Sequence, residues 1–295
     1  MANFAPSTNF EARGFDRARY QLTMPLAHAR YVNIDGGGPS GEMLNVTSEN
    51  PSVAKVILWG YLTGSQWSWK VMAIGGGTTR LRGELADGRD YSSPLPVTVT
   101  AGNDRAIMET AWRCSRNRLS GAITKLENLI SSISALGSGT NGSQPLQNED
   151  GKVMALAMKW LKCPNFRMFP TDNSNLQSIL ERAARIMRRN LALTQPGMFH
   201  VPAGFHASTY GSIDRGFDCG DRFFNHDGPN CRCDVVTHEL FHLLNVGHGG
   251  QPLNGPTIRE LVDTPEKALD SADNLAQLSA ELMGSKTDAC TRVND

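Results

Sequence analysis

The feature that most constrains this chain is an eleven-residue segment, His238-Glu-Leu-Phe-His242-Leu-Leu-Asn-Val-Gly-His248, which begins with the pattern H-E-x-x-H. On an α-helix, positions i and i+4 lie on the same face, one turn apart. The imidazoles of His238 and His242 can therefore bind one metal ion, with Glu239 beside it. Zinc lowers the pKa of a bound water to about 7, and Glu239 can accept its proton as general base and then pass it to a leaving amine.

A catalytic zinc ion usually has three protein ligands and one open position, and His248 is the candidate third ligand. It lies six residues beyond His242, so the helix must end before both imidazoles can reach one ion. Asn245 and Gly247 permit this ending, because both tolerate the left-handed backbone conformation that terminates helices. We therefore expect one zinc ion per chain, bound by His238, His242 and His248.

Length and charge limit the classes of function. A chain of 295 residues is long enough for two domains. Its 29 basic and 29 acidic residues give zero formal net charge, so no basic field favours nucleic acid or an anionic membrane. No apolar run approaches the roughly 18 residues of a membrane span. The first twenty residues lack the apolar core of a signal peptide, which is compatible with a mature chain, an export route without such a signal, or retention in the cell.

The cysteines suggest an oxidising compartment, because their number is even and suits a set of disulfides. Buried thiols are the alternative, and the sequence does not determine connectivity. A thiolate zinc site just before the metal helix is a weaker alternative, because no second cysteine pair stands at zinc-finger spacing. The six candidate disulfide cysteines are Cys114, Cys163, Cys219, Cys231, Cys233 and Cys290.

The first third of the chain predicts β structure. We expect an irregular leader over residues 1–18 and an all-β domain over residues 19–101, with strands near residues 31–34, 53–59, 67–72 and 97–100 separated by glycine-rich turns. Residues 47–56, the Gly75-Gly-Gly-Thr-Thr79 turn and the closing Val97-Thr-Val-Thr100 are similar to bacterial group-2 immunoglobulin-like domains. The resemblance implies an N-terminal sandwich that serves as a spacer or an adhesive module.

The rest of the chain, residues 102–295, predicts a mainly helical α+β domain. Apolar residues at 3.6-residue spacing indicate a long helix over about residues 104–136. Further helices are expected around residues 153–161 and 176–187, and a strand over residues 198–202. The arginines of the third helix are expected to form a solvated face. His200, His206 and His226 lack ligand spacing and are interpreted as structural.

Three segments give this second domain a family resemblance. They are Asp218-Cys-Gly-Asp-Arg-Phe-Phe224, Thr237-His-Glu-Leu-Phe-His242 and Thr264-Pro-Glu-Lys-Ala-Leu-Asp-Ser-Ala-Asp-Asn274. Their order and spacing resemble the aspzincin zinc proteases, which include the deuterolysins and the peptidyl-lysine metalloendopeptidases. The resemblance covers roughly residues 104–285. It implies a zincin-like fold, a zinc cofactor and hydrolysis of peptide bonds.

The chain departs from this family at two positions. The family takes its third ligand from an aspartate, and the corresponding place here falls at or next to His248. This gives a spacing similar to that of the metzincins, in which the third ligand is a histidine. The tyrosine that supports the oxyanion in the family is matched by Gln251. The oxyanion stabiliser is therefore unassigned.

A carboxylate near the site has two candidate roles. Asp273 corresponds to one of two acids that form the lysine pocket in lysine-specific relatives, while Ala276 replaces the second acid. Asp273 could instead orient a zinc-bound imidazole, as carboxylates behind metal ligands commonly do. Asp263 and Asp270 are alternatives for that orienting role.

Together these observations predict a zinc-dependent endopeptidase that acts on protein or peptide substrates. It is expected to be secreted, or delivered to a periplasm as a toxin or effector, with an inhibitor or immunity protein as a further candidate partner. The alternative is an adhesive or carrier protein whose zinc is structural and in which a fourth protein ligand closes the site.

Overall fold

The computed structural model describes residues 3–6, 13–34, 45–62, 66–138, 146, 148–163, 174–209, 213–248 and 262–285. These residues belong to two compact units. Unit 1 comprises residues 1–109, 197–208 and 214–226, and unit 2 comprises residues 110–196, 209–213 and 227–295. Three segments of the expected second domain thus belong to unit 1, namely residues 102–109, 197–208 and 214–226.

The N-terminal region contains two β-sheets, which confirms the expected β structure. The first sheet has the order β1-β4-β7-β6, and the second has the order β2-β3-β9-β8-β5. Neighbouring strands are antiparallel except for the parallel pair β3 and β9. The strands are β1 (Phe4–Pro6), β2 (Phe15–Asp16), β3 (Gln21–Pro25), β4 (Ala29–Ile34), β5 (Asn45–Ser48), β6 (Ala54–Leu62), β7 (Gln66–Ala73), β8 (Gly77–Glu84) and β9 (Leu95–Thr100).

Two of these strands lie inside the segment that was expected to be an irregular leader. Strand β1 pairs with β4, and β2 pairs with β3. Both strands are very short, at three and two residues, so neither produces a readable alternation of apolar and polar residues. Pairing with longer strands, rather than local sequence pattern, explains why they are extended.

The two sheets share one hydrophobic core. Alternate residues of β7 and β9, such as Trp69, Val71, Val97 and Val99, meet side chains from the opposite sheet in a single buried cluster. Strand β4 is buried along its whole length, because its other face packs Tyr31 against Phe199 and Val201.

A charged pair is also buried in unit 1. Lys70 is fully buried, and its Nζ lies 2.6 Å from Asp218 Oδ1 and donates to the carbonyl oxygen of Arg215 at 3.0 Å. Tyr31 donates its hydroxyl to the other oxygen of Asp218. Burial raises the pKa of Asp218, and the attraction of Lys70 opposes that rise. Because a buried carboxylate is costly without partners, these contacts fix the strand that carries Asp218.

The remainder of the chain is a mainly helical α+β region, as expected. A small sheet contains β10 (Met198–His200), β11 (Ala207–Thr209) and β12 (Phe217–Cys219) in the order β10-β12-β11. The helices are α1 (Asp104–Ser138), α2 (Asn148–Leu161), α3 (Ser174–Leu191), α4 (Asp221–Asn225), α5 (Pro229–His242), α6 (Pro265–Leu269) and α7 (Ala272–Leu282), and Ile213–Arg215 is a 3₁₀ turn.

The helical core of unit 2 is one cluster of apolar side chains. It contains residues of α1, α2 and α3 together with Phe241, Val246 and Leu275. Helix α7 packs against α2 and α5, and Asn274 Nδ2 donates to the carbonyl oxygen of Trp160 at 2.7 Å. The core therefore holds α5 and α7, which carry most of the predicted site. None of the described helices is long and apolar enough to span a membrane.

Candidate metal centre

Helix α5 carries the H-E-x-x-H pattern, and one face of it is fastened to α1. Cys233 forms a disulfide with Cys114. The next residue, Asp234, forms a buried ion pair with Arg118. One turn beyond Cys233, the hydroxyl of Thr237 lies 2.8 Å from that of Ser115. Residues 233, 234 and 237 share a helix face by their spacing. A covalent bond, an ion pair and a hydrogen bond thus fix the rotation of α5 about its axis.

The end of α5 places the third histidine. The N–H of Asn245 donates to the carbonyl oxygen of His242 at 2.9 Å, and the N–H of Val246 donates to that of Phe241 at 3.2 Å. These two bonds form a Schellman motif, whose left-handed residue is Asn245, with φ 60°. Phe241 and Val246 are both in the helical core, which supplies the usual hydrophobic contact of the motif. The expected role of Asn245 is confirmed.

Gly247 differs from the expectation of a left-handed residue, because its φ is not positive. Its N–H donates to Asp270 Oδ1 at 3.2 Å, and its carbonyl oxygen accepts from the N–H of Ala272 at 3.0 Å. His248 then forms an antiparallel β-bridge with Ser271, the N-cap residue of α7. Backbone bonds to the start of α7, rather than a flexible glycine turn, bring His248 back toward α5.

The structure brings His238, His242 and His248 together, and we call them the three-histidine cluster. The Nε2 atoms of His238 and His242 are 2.9 Å apart. The ring centroids of His242 and His248 are 4.4 Å apart, and those of His238 and His248 are 5.5 Å apart. Each ring can offer one nitrogen to a common ion.

The neighbours of these rings indicate where their protons lie. His242 Nδ1 is 2.7 Å from the carbonyl oxygen of Val246, which can only accept, so Nδ1 donates and Nε2 keeps its lone pair. His238 Nδ1 lies 3.3 Å from Asp273 Oδ1, which favours the same tautomer. Burial, and then the neighbouring His238, lower the pKa of His242 to about 4, so its imidazole is neutral at pH 7.

The Nε2 atoms of His238 and His242 face each other 2.9 Å apart, an arrangement that fits a shared cation. His248 adds to this, because its Nδ1 is buried without a hydrogen bond, with Asp273 Oδ2 3.7 Å away. Three imidazole nitrogens are a donor set that suits zinc. The residues present therefore fit the predicted ion.

Asp273 lies in the first turn of α7, between two of the imidazoles, with one oxygen toward His238 and the other toward His248. This is the arrangement of a carboxylate that orients metal ligands from behind. Of the two alternatives for that role, Asp263 pairs with Lys267 at 2.8 Å, and Asp270 accepts the N–H of Gly247. Glu239 follows His238 on α5 and is buried, with 7% of its surface exposed.

The remaining cysteines correct part of the disulfide prediction. Cys231 is disulfide-bonded, whereas Cys163 and Cys219 are buried thiols. Burial raises the pKa of Cys163 to about 12, so its thiol is an inert part of the helical core. The alternative of a thiolate zinc site is wrong at Cys233, whose sulfur is already bonded. Cys290 and Gln251 lie outside the described residues.

Sequence reasoning missed a second group of metal-type ligands, His28, Asp104 and His200, which lies in unit 1. The sequence predicts a structural role for His200 and gives no signal at His28 or Asp104. Their positions at 28, 104 and 200 form no local spacing pattern, so only the tertiary structure could reveal the group.

No protein family and no curated protein matches the sequence. Solved structures of the S-layer protein SbsC show a distant likeness. Its domains 4 and 5 share 19% identity over 28% of this chain and 47% of that chain, with a TM-score of 0.22. Its domains 5–6 share 18% identity over 28% of this chain and 41% of that chain, with a TM-score of 0.24. The chain thus spans less than half the length of these structures, and TM-scores this low carry no argument about function.

Proposed function

We propose that this protein is a zinc-dependent endopeptidase whose metal is held by His238, His242 and His248. The observation that carries the proposal is the facing pair of Nε2 atoms, 2.9 Å apart, on rings whose Nδ1 atoms contact Val246 and Asp273. These Nδ1 contacts leave the Nε2 atoms of both rings facing one another, available to a metal ion. A zinc ion would be held by these two nitrogens together with His248.

A bound zinc ion would supply Lewis-acid chemistry, which polarises a peptide carbonyl and makes water acidic near pH 7. Glu239, adjacent to His238 on α5, would take the proton of the attacking water and deliver it to the leaving amine. Its burial strengthens this role, because charges interact more strongly away from solvent. Val246 and Asp273 hold the rings of His242 and His238, so that the ligands are oriented before any ion binds.

We further propose that the fold of unit 2 is zincin-like and related to the aspzincins, with histidine as the third ligand. The two sheets of the N-terminal region with their shared core support an immunoglobulin-like sandwich there. The disulfide between Cys114 and Cys233 supports a secreted or periplasmic location, because disulfides persist in oxidising compartments. The same setting suits a toxin or effector whose partners are a protein substrate and an inhibitor or immunity protein.

The test is substitution of the proposed base. Glu239→Gln should keep one zinc ion at the three-histidine cluster and lose at least about 100-fold of peptide-cleaving activity, because an amide cannot accept the proton. Zinc content and digestion of a peptide library are measured on the same samples. Glu149→Gln, at an exposed residue that pairs with Lys152, is the matched control and should keep full activity.

Two results would contradict the proposal. One is full activity in zinc-loaded Glu239→Gln. The other is a wild-type chain that binds zinc at this cluster but cleaves nothing in the library. The second result would favour the adhesive or carrier protein with a structural zinc.

A further inference from the structure

A second cluster of metal-type ligands lies in unit 1, apart from the residues used by the proposed function. Asp104 Oδ2 is 2.9 Å from His28 Nε2 and 2.6 Å from His200 Nδ1. The ring centroids of the two histidines are 4.5 Å apart. Two imidazole nitrogens and a carboxylate oxygen therefore converge on one point, in a donor set that zinc accepts.

The backbone fixes this convergence. His28 and His200 form a parallel β-bridge, and the N–H of His200 donates to the carbonyl oxygen of Ala27 at 2.9 Å. Ala27 has φ 62°, a left-handed conformation that is costly for alanine. Such strain persists only where the surrounding structure enforces it, and it is concentrated at functional sites. Asp104 opens α1, where the positive end of the helix dipole favours its negative charge.

Asp221 supports His200 from the opposite side, with its Oδ1 3.0 Å from His200 Nε2. A carboxylate at Nε2 holds a proton on that nitrogen. Nδ1, which faces Asp104, is then the nitrogen that an ion would take in place of the proton shared with Asp104. This is the arrangement of a metal-ligating histidine with an orienting carboxylate. Phe224 packs over the same ring, with centroids 4.1 Å apart, and fixes its plane.

One neighbour opposes a cation. Arg30 Nη2 lies 3.5 Å from His28 Nδ1, and the other donors of Arg30 are held by the carbonyl oxygens of Arg13 and Ala29 at 2.6 Å and 2.7 Å. The guanidinium is thus a fixed positive charge beside the cluster. It favours the tautomer of His28 that donates to Asp104, so an ion must displace that proton. We therefore expect weaker binding here than at the three-histidine cluster.

We propose that His28, Asp104 and His200 form a second zinc site, with Asp221 as the residue that orients His200. The ion would replace the proton now shared between Asp104 and the two rings. It would tie the start of α1 to β10, which carries His200, and to His28, which directly precedes β4. The site is independent of the proposed peptidase chemistry, because none of its residues belongs to the three-histidine cluster.

The experiment counts zinc ions bound to the full chain after removal of metal with EDTA, using titration against a chromophoric chelator. The wild type should bind two ions, and the double variant His238→Ala/His242→Ala should bind one. Adding His200→Ala to that double variant should remove the last ion. Asp221→Asn should keep the site but weaken it by about ten- to hundredfold. His226→Ala, at an exposed histidine of the same unit, is the matched control and should change nothing.

Three outcomes are decisive. One ion in the wild type and none in His238→Ala/His242→Ala would overturn the second site and leave the three-histidine cluster intact. One ion that survives His238→Ala/His242→Ala but not His200→Ala would support this site and overturn the other. An unchanged affinity in Asp221→Asn, whose side chain keeps its size, would overturn the orienting role even if His200→Ala misfolds.

Discussion

The two histidine clusters reach similar chemistry by opposite routes. The three-histidine cluster uses residues 238, 242 and 248, and a helix with its terminating turn supplies the geometry. The cluster of His28, Asp104 and His200 uses residues from three distant parts of the chain, and a strand bridge supplies the geometry. Local spacing encodes the first cluster, whereas tertiary pairing creates the second. A motif search can therefore find only the first.

The two clusters also differ in how their neighbouring groups affect the binding of a cation. In the first, the imidazoles have partners that leave their lone pairs available, namely the carbonyl oxygen of Val246 and the carboxylate of Asp273. In the second, Asp104 itself takes the position of the ion, and Arg30 adds a positive charge. The first cluster is prepared for a cation. In the second cluster, the two histidines already pair with Asp104. A proton must therefore leave before a cation can bind there.

The largest expected effect tests how far the three-histidine cluster depends on a long-range link between α1 and α5. The double variant Cys114→Ala/Cys233→Ala removes a disulfide that spans 119 residues of sequence. Loss of the restraint on the unfolded chain should lower the free energy of unfolding by about 3–5 kcal/mol. Urea denaturation of the two proteins at pH 7 measures this difference.

The control is Cys163→Ala, at a buried thiol of the same unit, which should cost about 1 kcal/mol. A double variant within 1 kcal/mol of the wild type would contradict the prediction. It would mean that the ion pair and hydrogen bond to α1 suffice to anchor the metal helix, and that the first cluster depends less on long-range contacts than we infer.

Periodic patterns predicted most of the fold. The long amphipathic segment gave α1 within two residues of its observed end, and the apolar spacing of α2 and α3 was confirmed. The short strands β1 and β2 and the assignment of β10 and β12 to unit 1 depend on pairing with distant residues, so no local pattern reveals them.

For the candidate site, the sequence predicted the metal-binding histidines but not the contacts that hold them in place. The sequence spacing predicted that His238, His242 and His248 lie together, and Asn245 predicted the end of the helix. The pairing of Cys114 with Cys233, the backbone bonds that hold Gly247 and the contacts of Asp273 with two rings were beyond spacing alone. Each depends on how α1 and α7 pack beside α5.

A pH measurement tests whether one ring of each cluster, His28 and His242, is neutral in the folded metal-free chain. Burial lowers the pKa of His28 and of His242 to about 4 from an ordinary 6.5. Between these values the unfolded chain binds protons that the folded chain refuses, so stability is present above pH 6.5 and is lost as pH falls toward 4. Each ring should contribute about 1–3 kcal/mol to this loss.

The expected result is a smaller loss of stability between pH 7 and pH 4.5 in His28→Gln and in His242→Gln than in the wild type. Burial also raises the pKa of Asp234 to about 6. Protonation of Asp234 therefore opposes the histidines over the same range, so the difference between each variant and the wild type is the relevant quantity. If His28→Gln loses stability with acid as steeply as the wild type, His28 is charged when folded and the two clusters differ more than their geometry indicates.

The smallest expected effect concerns Asp273, which has two candidate roles. As an orienting carboxylate, it should lose only modest zinc affinity when changed to asparagine, because 3.3 Å to His238 Nδ1 is long for a charge-assisted hydrogen bond. We expect about a tenfold weakening of zinc binding at the three-histidine cluster in Asp273→Asn, near the lower limit for such residues. As a lysine pocket, it should instead change cleavage preference and leave zinc affinity unchanged.

Zinc titration and peptide-library profiling of the same Asp273→Asn sample therefore separate the roles. Asp263→Asn, at an exposed carboxylate that pairs with Lys267, is the matched control and should alter neither quantity. Both oxygens of Asp273 face imidazoles, and Ala276 provides no second acid for a substrate ammonium. We accordingly expect weaker zinc binding and an unchanged cleavage pattern. A lysine preference in the wild type that disappears in the fully metallated variant would assign Asp273 to the substrate pocket, and the first cluster would then lack the supporting carboxylate that Asp221 gives the second.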